Sequence, residues 1–181
     1  MMINTREILN FWFEECTPKM WFIKNSDFDD LIKTRFSKSI ELSMDISFDS
    51  IPVSIETYLA HIIVLDQFTR NIYRNNYKSF MGDKKALEIS KNSISNDFIT
   101  NSNYYYNSFF LMPLMHSENI LDHELGIPLF KKYTNENTYK FAIKHKQIIK
   151  KFGRFPHRNI MLSRKSTDEE IYFLKLPGSR F

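Results

Sequence analysis

Apolar residues recur at the helical period along most of this 181-residue chain, and only four glycines and six prolines interrupt them. All-β folds built on tight turns use more of both residues, so the pattern selects helices. After Ser26-Asp27, which caps a helix, Phe28, Leu31, Ile32, Phe36, Ile40 and Met44 share one face. From about Ser54 to Arg74 the inward set is Ile55, Tyr58, Leu59, Ile62, Leu65, Phe68 and Ile72. Thr5 opens a first helix through Glu15, carrying Ile8, Leu9 and Trp12; Thr17-Pro18 breaks it, and Trp21 and Phe22 follow as core anchors. Gly82-Asp83 opens another. Tyr104 to about Leu125 is expected to kink at Pro113, where a helical hydrogen bond is lost, and Gly126-Ile127-Pro128 reads as a break. Thr138–Phe152 is strongly amphipathic: Phe141, Ala142, Ile148, Ile149 and Phe152 lie opposite Lys140, Lys144, Gln147 and Lys151. Thr167 and Glu170 have capping-box spacing for a last helix.

Length and an apolar share of 43% suit one domain over residues 1–181 with a core that needs no disulfide or metal. The single cysteine, Cys16, excludes an internal disulfide and fits a reducing compartment. The start lacks the basic-then-apolar layout of a signal peptide, and no run approaches the apolar length that spans a membrane. A cytoplasmic protein with no membrane partner is therefore expected. Net charge is +4, but Lys131 to Lys165 holds eleven Lys or Arg against one acid, Glu136. Such an excess either favours anionic ligands or is a solvated lysine face.

Phe152-Gly153-Arg154-Phe155-Pro156-His157-Arg158-Asn159 follows the amphipathic helix. Gly153 can take the left-handed backbone that ends a helix, and Pro156 keeps Phe155 out of helical geometry. The octet thus sets an imidazole and two guanidiniums on a stiff turn, a place to hold an anion. His145 falls in the apolar stripe of the preceding helix, where a buried imidazole needs a partner.

Three segments carry a family resemblance: Leu65-Asp66-Gln67-Phe68-Thr69-Arg70-Asn71, Pro113-Leu114-Met115-His116-Ser117-Glu118, and the octet. With Phe11-Trp12-Phe13 and Thr167-Asp168-Glu169-Glu170, the chain resembles the bacterial domain-of-unknown-function 924 family over nearly its whole length. The resemblance implies an all-α, antiparallel array of about seven to nine helices, similar to a tetratricopeptide-like superhelix, and brings no known reaction. The family pattern has proline where this chain has Thr69, a departure expected to straighten or shift the end of the third helix.

The resemblance singles out Asp66, Gln67, Arg70, Asn71, His116, Glu118, Arg154, His157, Arg158 and Asn159; burial adds His145. If these meet, arginine forks suit phosphate or carboxylate oxygens and histidines exchange protons near neutral pH. Catalysis would then fall to His116, His145, His157 and Glu118, and contacts with a small anionic molecule to Asp66, Gln67, Arg70, Asn71, Arg154, Arg158 and Asn159. The same residues also fit a structural role, with His145 a satisfied core histidine and the arginines capping carbonyls or pairing with Asp66 and Glu118. The chain would then be a helical module for a protein or peptide partner, its polar cluster internal cement. A transition metal on His116, His145, His157 and a carboxylate suits the ligand types alone and is not the expectation. No glycine-rich phosphate loop, nucleophile elbow or dinucleotide fingerprint is present, so no cofactor is expected. Nucleic acid ranks last, because Phe141 and Phe152 are assigned to the inward stripe, away from bases. Tyr104, Tyr105 and Tyr106 fit a dimer seam or a core equally, which leaves oligomeric state open.

Overall fold

The computed structural model describes residues 2–100 and 103–179, and among them every regular element is helical. The helix α1 (Thr5–Asn10) runs directly into a π-wound turn, Phe11–Glu15. It is followed by α2 (Ser26–Asp45) and by α3 (Ile55–Ile62). A second π-wound stretch, Ile63–Phe68, joins α3 to α4 (Thr69–Ile72) in one continuous rod. Then come α5 (Asp83–Ser95), α6 (Tyr104–His116), α7 (Ile120–Tyr133), α8 (Glu136–Phe152) and α9 (Asp168–Phe173). Taking α3 to α4 as one rod, the described residues form eight helices, within the expected number.

Asparagine starts most of them. Asn4, Asn25, Asn103, Asn119 and Asn135 each accept a first-turn N–H with their side chain. The first two stand one residue before the Thr5 and Ser26 caps expected from sequence, because an extended asparagine satisfies the open amides at least as well as serine or threonine. Three-residue and two-residue connections at 117–119 and 134–135 fold α6, α7 and α8 into antiparallel neighbours.

Several sequence expectations change. The long aromatic helix ends at His116, and Pro113 lies inside α6. Gly126-Ile127-Pro128 does not break the chain but lies within α7. Gly126 is there because a Cβ would sit 3.3 Å from Leu114 and from Phe130, so the missing side chain lets α6 and α7 close. Pro128 is tolerated on the exposed side of the helix, where water serves the carbonyl it leaves open. Phe22, Leu31, Ile55 and Phe141, all assigned inward, are exposed at the rims of their stripes. Phe141 lies beside Lys144, whose Nζ is 5.4 Å from the ring centre, which removes one ground for ranking nucleic acid last.

The core is aromatic where α1, α2, the π-wound rod and α6 meet. Phe36 lies 4.9 Å from Phe11 and 4.8 Å from Phe68 between ring centres, while Trp12 lies 5.4 Å from Phe68 and 5.7 Å from Phe109. A smaller cluster of Ile148, Ile149 and Phe155, with Ile120, Phe152 and Phe173, joins α7, α8, the octet and α9.

Thr69 is buried within the continuous rod. Its hydroxyl donates to the Leu65 carbonyl at 2.7 Å and reaches Ser79 O at 3.2 Å, so one side chain serves the wide turn and the approach to α5. All six residues from Ile63 to Phe68 are buried. Gly82, just before α5, is pressed onto this stretch: a Cβ there would lie 2.3 Å from Leu65 O. Gly82→Ala is therefore expected to cost at least about 2 kcal/mol in urea unfolding, because backbone and not a flexible side chain blocks the methyl. Gly153→Ala, left-handed at φ 68° with open space around it, is expected to cost only about 1–2 kcal/mol. Equal costs would mean that the seating of α5 on Leu65 is not as tight as described.

Candidate functional site

Asp66, fully buried at 0% exposure, is the centre of the polar residues. The π-wound turn carries it inward toward the end of α6, where His116 Nδ1 donates to Oδ1 at 2.7 Å. Gln67 Nε2 donates to Oδ2 and also touches Met112 Sδ at 3.2 Å. Arg70, one turn on, sets Nη1 at 3.2 Å from Oδ1 and donates to the Asp66 carbonyl. Burial alone would raise the Asp66 carboxyl, but Arg70 and His116 together hold it well below the usual carboxylate range. For His116 burial dominates and lowers the imidazole, against the pull of Asp66. The pair is thus carboxylate and neutral imidazole, with the proton on Nδ1 and Nε2 left for other partners.

Asp83, the first residue of α5, completes the group. Arg70 Nη1 lies 3.0 Å from Oδ1 and Nη2 donates to Oδ2 at 3.2 Å. Arg158 Nη1 donates to the same Oδ2 at 3.1 Å, and Arg158 Nη2 donates to the His116 carbonyl at 3.0 Å. The octet therefore does face inward and meets the residue beyond Pro113. The Arg158 guanidinium lies between two rings, 4.6 Å from the centre of Phe80 and 4.7 Å from that of Phe155. Burial drops its pKa to about 10, so it stays charged at neutral pH.

The other candidates fall elsewhere. Glu118 accepts from the Phe155 amide at 2.8 Å and from both Nη atoms of Arg164, at 2.6 and 2.9 Å. It anchors the octet and is not placed as an acid or base. Arg154 forks onto Glu170 of α9 at 2.7 and 2.8 Å and also bonds Lys165 O; Asn159 Nδ2 reaches Glu170 and Ser166. Both tie down the last helix, whose expected Thr167–Glu170 capping box is present. Asn71 turns the other way, donating to Asp29 of α2 at 2.8 Å. His145 Nδ1 donates to the Phe141 carbonyl four residues back at 2.8 Å, an ordinary way for a helix to satisfy a buried imidazole. His157 is half-buried at 5.6 Å from the Phe155 ring, and burial followed by Arg158 pushes it down to about 3.

Sequence reasoning missed Asp83, Phe80, Arg164 and His123. Asp83 was visible only as the opening of a helix, and nothing local marks Phe80. The described residues contain no group of three or more His, Cys, Asp or Glu side chains placed to hold a metal. A shallow cleft of about 470 Å³, lined by Glu118, Asn119, Ile120, Ile149, Lys150 and Gly153, borders the Glu118 anchor and not the Asp66 group.

A family model described as bacterial protein of unknown function (DUF924) matches residues 8–178. The chain belongs to the DUF924 family. It is also similar to the solved structure of a protein of unknown function from Agrobacterium tumefaciens, at 29% identity and TM-score 0.88, over 94% of this chain and 96% of that one. No curated protein matches it. The DUF924 match takes in all of the Asp66, Glu118 and Glu170 groups, and it brings no reaction with it.

Three of the histidines surround one ring. His145 and His157 each lie 5.6 Å from Phe155 and His123 lies 6.3 Å away, while His116 is 6.1 Å from His145. Burial lowers all four, Arg70 and Arg158 add to it at His116 and His157, and Asp66, Glu118 and Asp122 oppose it. His61, bonded to Ser43 in the main core, falls to about 4. An unfolded histidine titrates near 6.5, so below that pH the unfolded chain binds protons that the folded one refuses. Stability is therefore full above pH 6.5 and falls as pH drops below it, by about 1.4 kcal/mol per unit for each histidine still neutral in the fold. Urea midpoints measured from about pH 7.5 to about pH 5 are expected to fall steeply, before the carboxylates begin to titrate. A flat profile over that interval contradicts the neutral histidine cluster.

Proposed function

We propose that this protein binds a small anionic molecule at the edge of the Asp66, Arg70, Asp83, His116 and Arg158 group, with His116 serving as acid or base. The observation that carries this reading is the state of His116. A buried carboxylate holds its Nδ1–H, and the side chain keeps 15% of its surface exposed, beside Arg70 and Asp83 at 22% each. A fixed tautomer with one nitrogen free and guanidiniums close by is the arrangement general acid–base chemistry on an anionic substrate requires. Arg158 Nε is buried without a partner among the described residues, which leaves one donor of the octet unused.

One observation favours the structural alternative, a tetratricopeptide-like interaction module with a cemented interior. Each of these arginines already faces a carboxylate of the chain: Arg70 and Arg158 face Asp83, Arg154 faces Glu170 and Arg164 faces Glu118. The two readings part on ligand response. Thermal midpoints of the wild type and of His116→Asn and Arg70→Gln are to be measured with phosphate, citrate and short carboxylates, against sodium chloride of equal ionic strength. Saturable stabilisation of the wild type, reduced about tenfold or more in apparent affinity by either substitution, is expected for the anion site. Variants that lose several degrees while no anion shifts the wild type indicate cement alone.

A further inference from the structure

We infer that Asp83 occupies the seat of the ligand's own carboxylate, so that the molecule this site takes is a small carboxylate that exchanges with Asp83. The inference deepens the small-anion function proposed above and depends on it. Two guanidiniums converge on one planar carboxyl group: Arg70 Nη2 and Arg158 Nη1 both donate to Asp83 Oδ2, at 3.2 and 3.1 Å, while Oδ1, 3.0 Å from Arg70 Nη1, accepts no hydrogen bond among the described residues. Paired guanidinium donors are the groups by which arginine recognises a carboxylate, and Asp83 fills them incompletely. Phe80 lies beneath both cations, 5.9 Å from Arg70 and 4.6 Å from Arg158, and excludes water from that side. Arg158 is held by the fold, with 8% of its side chain exposed, and its Nε has no partner among the described residues.

The Asp83 side chain makes no capping bond at the start of its own helix. Asp83 is the first residue of α5, and the turn of that helix rests on Gly82 and on the Thr69 bridge to Ser79, not on the Asp83 side chain. Charge conservation supports exchange over addition. Asp66 and Asp83 balance Arg70 and Arg158 beside a neutral His116, so a further anion would be the third negative group against two positive ones. A carboxylate that replaces Asp83 leaves the balance intact, whereas a phosphate dianion does not. The exchanged ligand would lie beside His116 and within reach of the Arg158 Nε donor. Its affinity is set against a tethered competitor whose effective concentration is in the millimolar range or above.

Asp83→Ala should remove the competitor and keep the seat. Its thermal midpoint is expected below that of the wild type and restored saturably by formate or acetate, at least about tenfold more tightly than either binds the wild type. Adding Arg70→Gln to Asp83→Ala should abolish the restoration. Should Asp83→Ala not fold, Asp83→Asn, which keeps the shape and drops the charge, is measured in the same way. Equal carboxylate affinity in wild type and variant would overturn the inference and leave the anion site standing. No response to carboxylates or to phosphate in either protein, beyond that of matched sodium chloride, would overturn both.

Discussion

A carboxylate with no access to water has to be matched by donors from the protein itself, and Asp66 draws them from two separate parts of the chain. Leaving such a group unpaired costs about 3–5 kcal/mol, a large part of the stability of a domain of this size. Gln67 and Arg70 meet the demand locally, but His116 comes from the end of α6, fifty residues on. The rod runs through the interior, with Tyr58 to Thr69 buried in its α-helical and π-wound parts alike, so Asp66 is buried in the same element that sets Phe68 into the aromatic core. The polar centre and the hydrophobic core are thus two faces of one element, and neither can shift without the other.

Folding also dissolves the charge segregation that is conspicuous along the chain. Of the basic residues between Lys131 and Lys165, Arg154 and Lys151 find Glu170 and Glu169, Arg158 finds Asp83, and Arg164 finds Glu118. The acids come from α5, the α6–α7 connection and α9, so the basic segment is fastened to three places at once. Its arginines are buried or half-buried against carboxylates, and its lysines mostly solvated. A field argument based on sequence-local charge therefore applies to the lysines alone, since the guanidiniums are neutralised at contact distance.

What could be read beforehand divides along the same line. Helices, the left-handed Gly153 and the Thr167–Glu170 box follow from local rules, and each is present. Asn71 and Arg154 went astray because spacing says which side chains share a helix, not which neighbour answers them. Asn71 answers Asp29 of α2, and Arg154 answers Glu170 of α9. Gly126 looked like a break because glycine is ambiguous between flexibility and close approach, and only the distance to Leu114 and Phe130 decides. Asp83 was hidden for a similar reason. An acid at the first turn of a helix already has a sufficient local explanation in the helix dipole, so nothing in the sequence calls for a second partner.

That local sufficiency explains how one residue can serve both cement and site. Asp83 is favoured where it stands by the start of α5, whether or not Arg70 and Arg158 face it, so the contact with the two arginines is additional to the fold and not a condition of it. Asp66 has no such independence, since removing its partners strands a charge in the interior. One acid is sealed at 0% exposure, while the other keeps 22% of its side chain in solvent and His116 keeps 15%. On the proposed reading Asp66 is the fixed half, which sets the tautomer of His116, and Asp83 is the half that exchanges with the ligand.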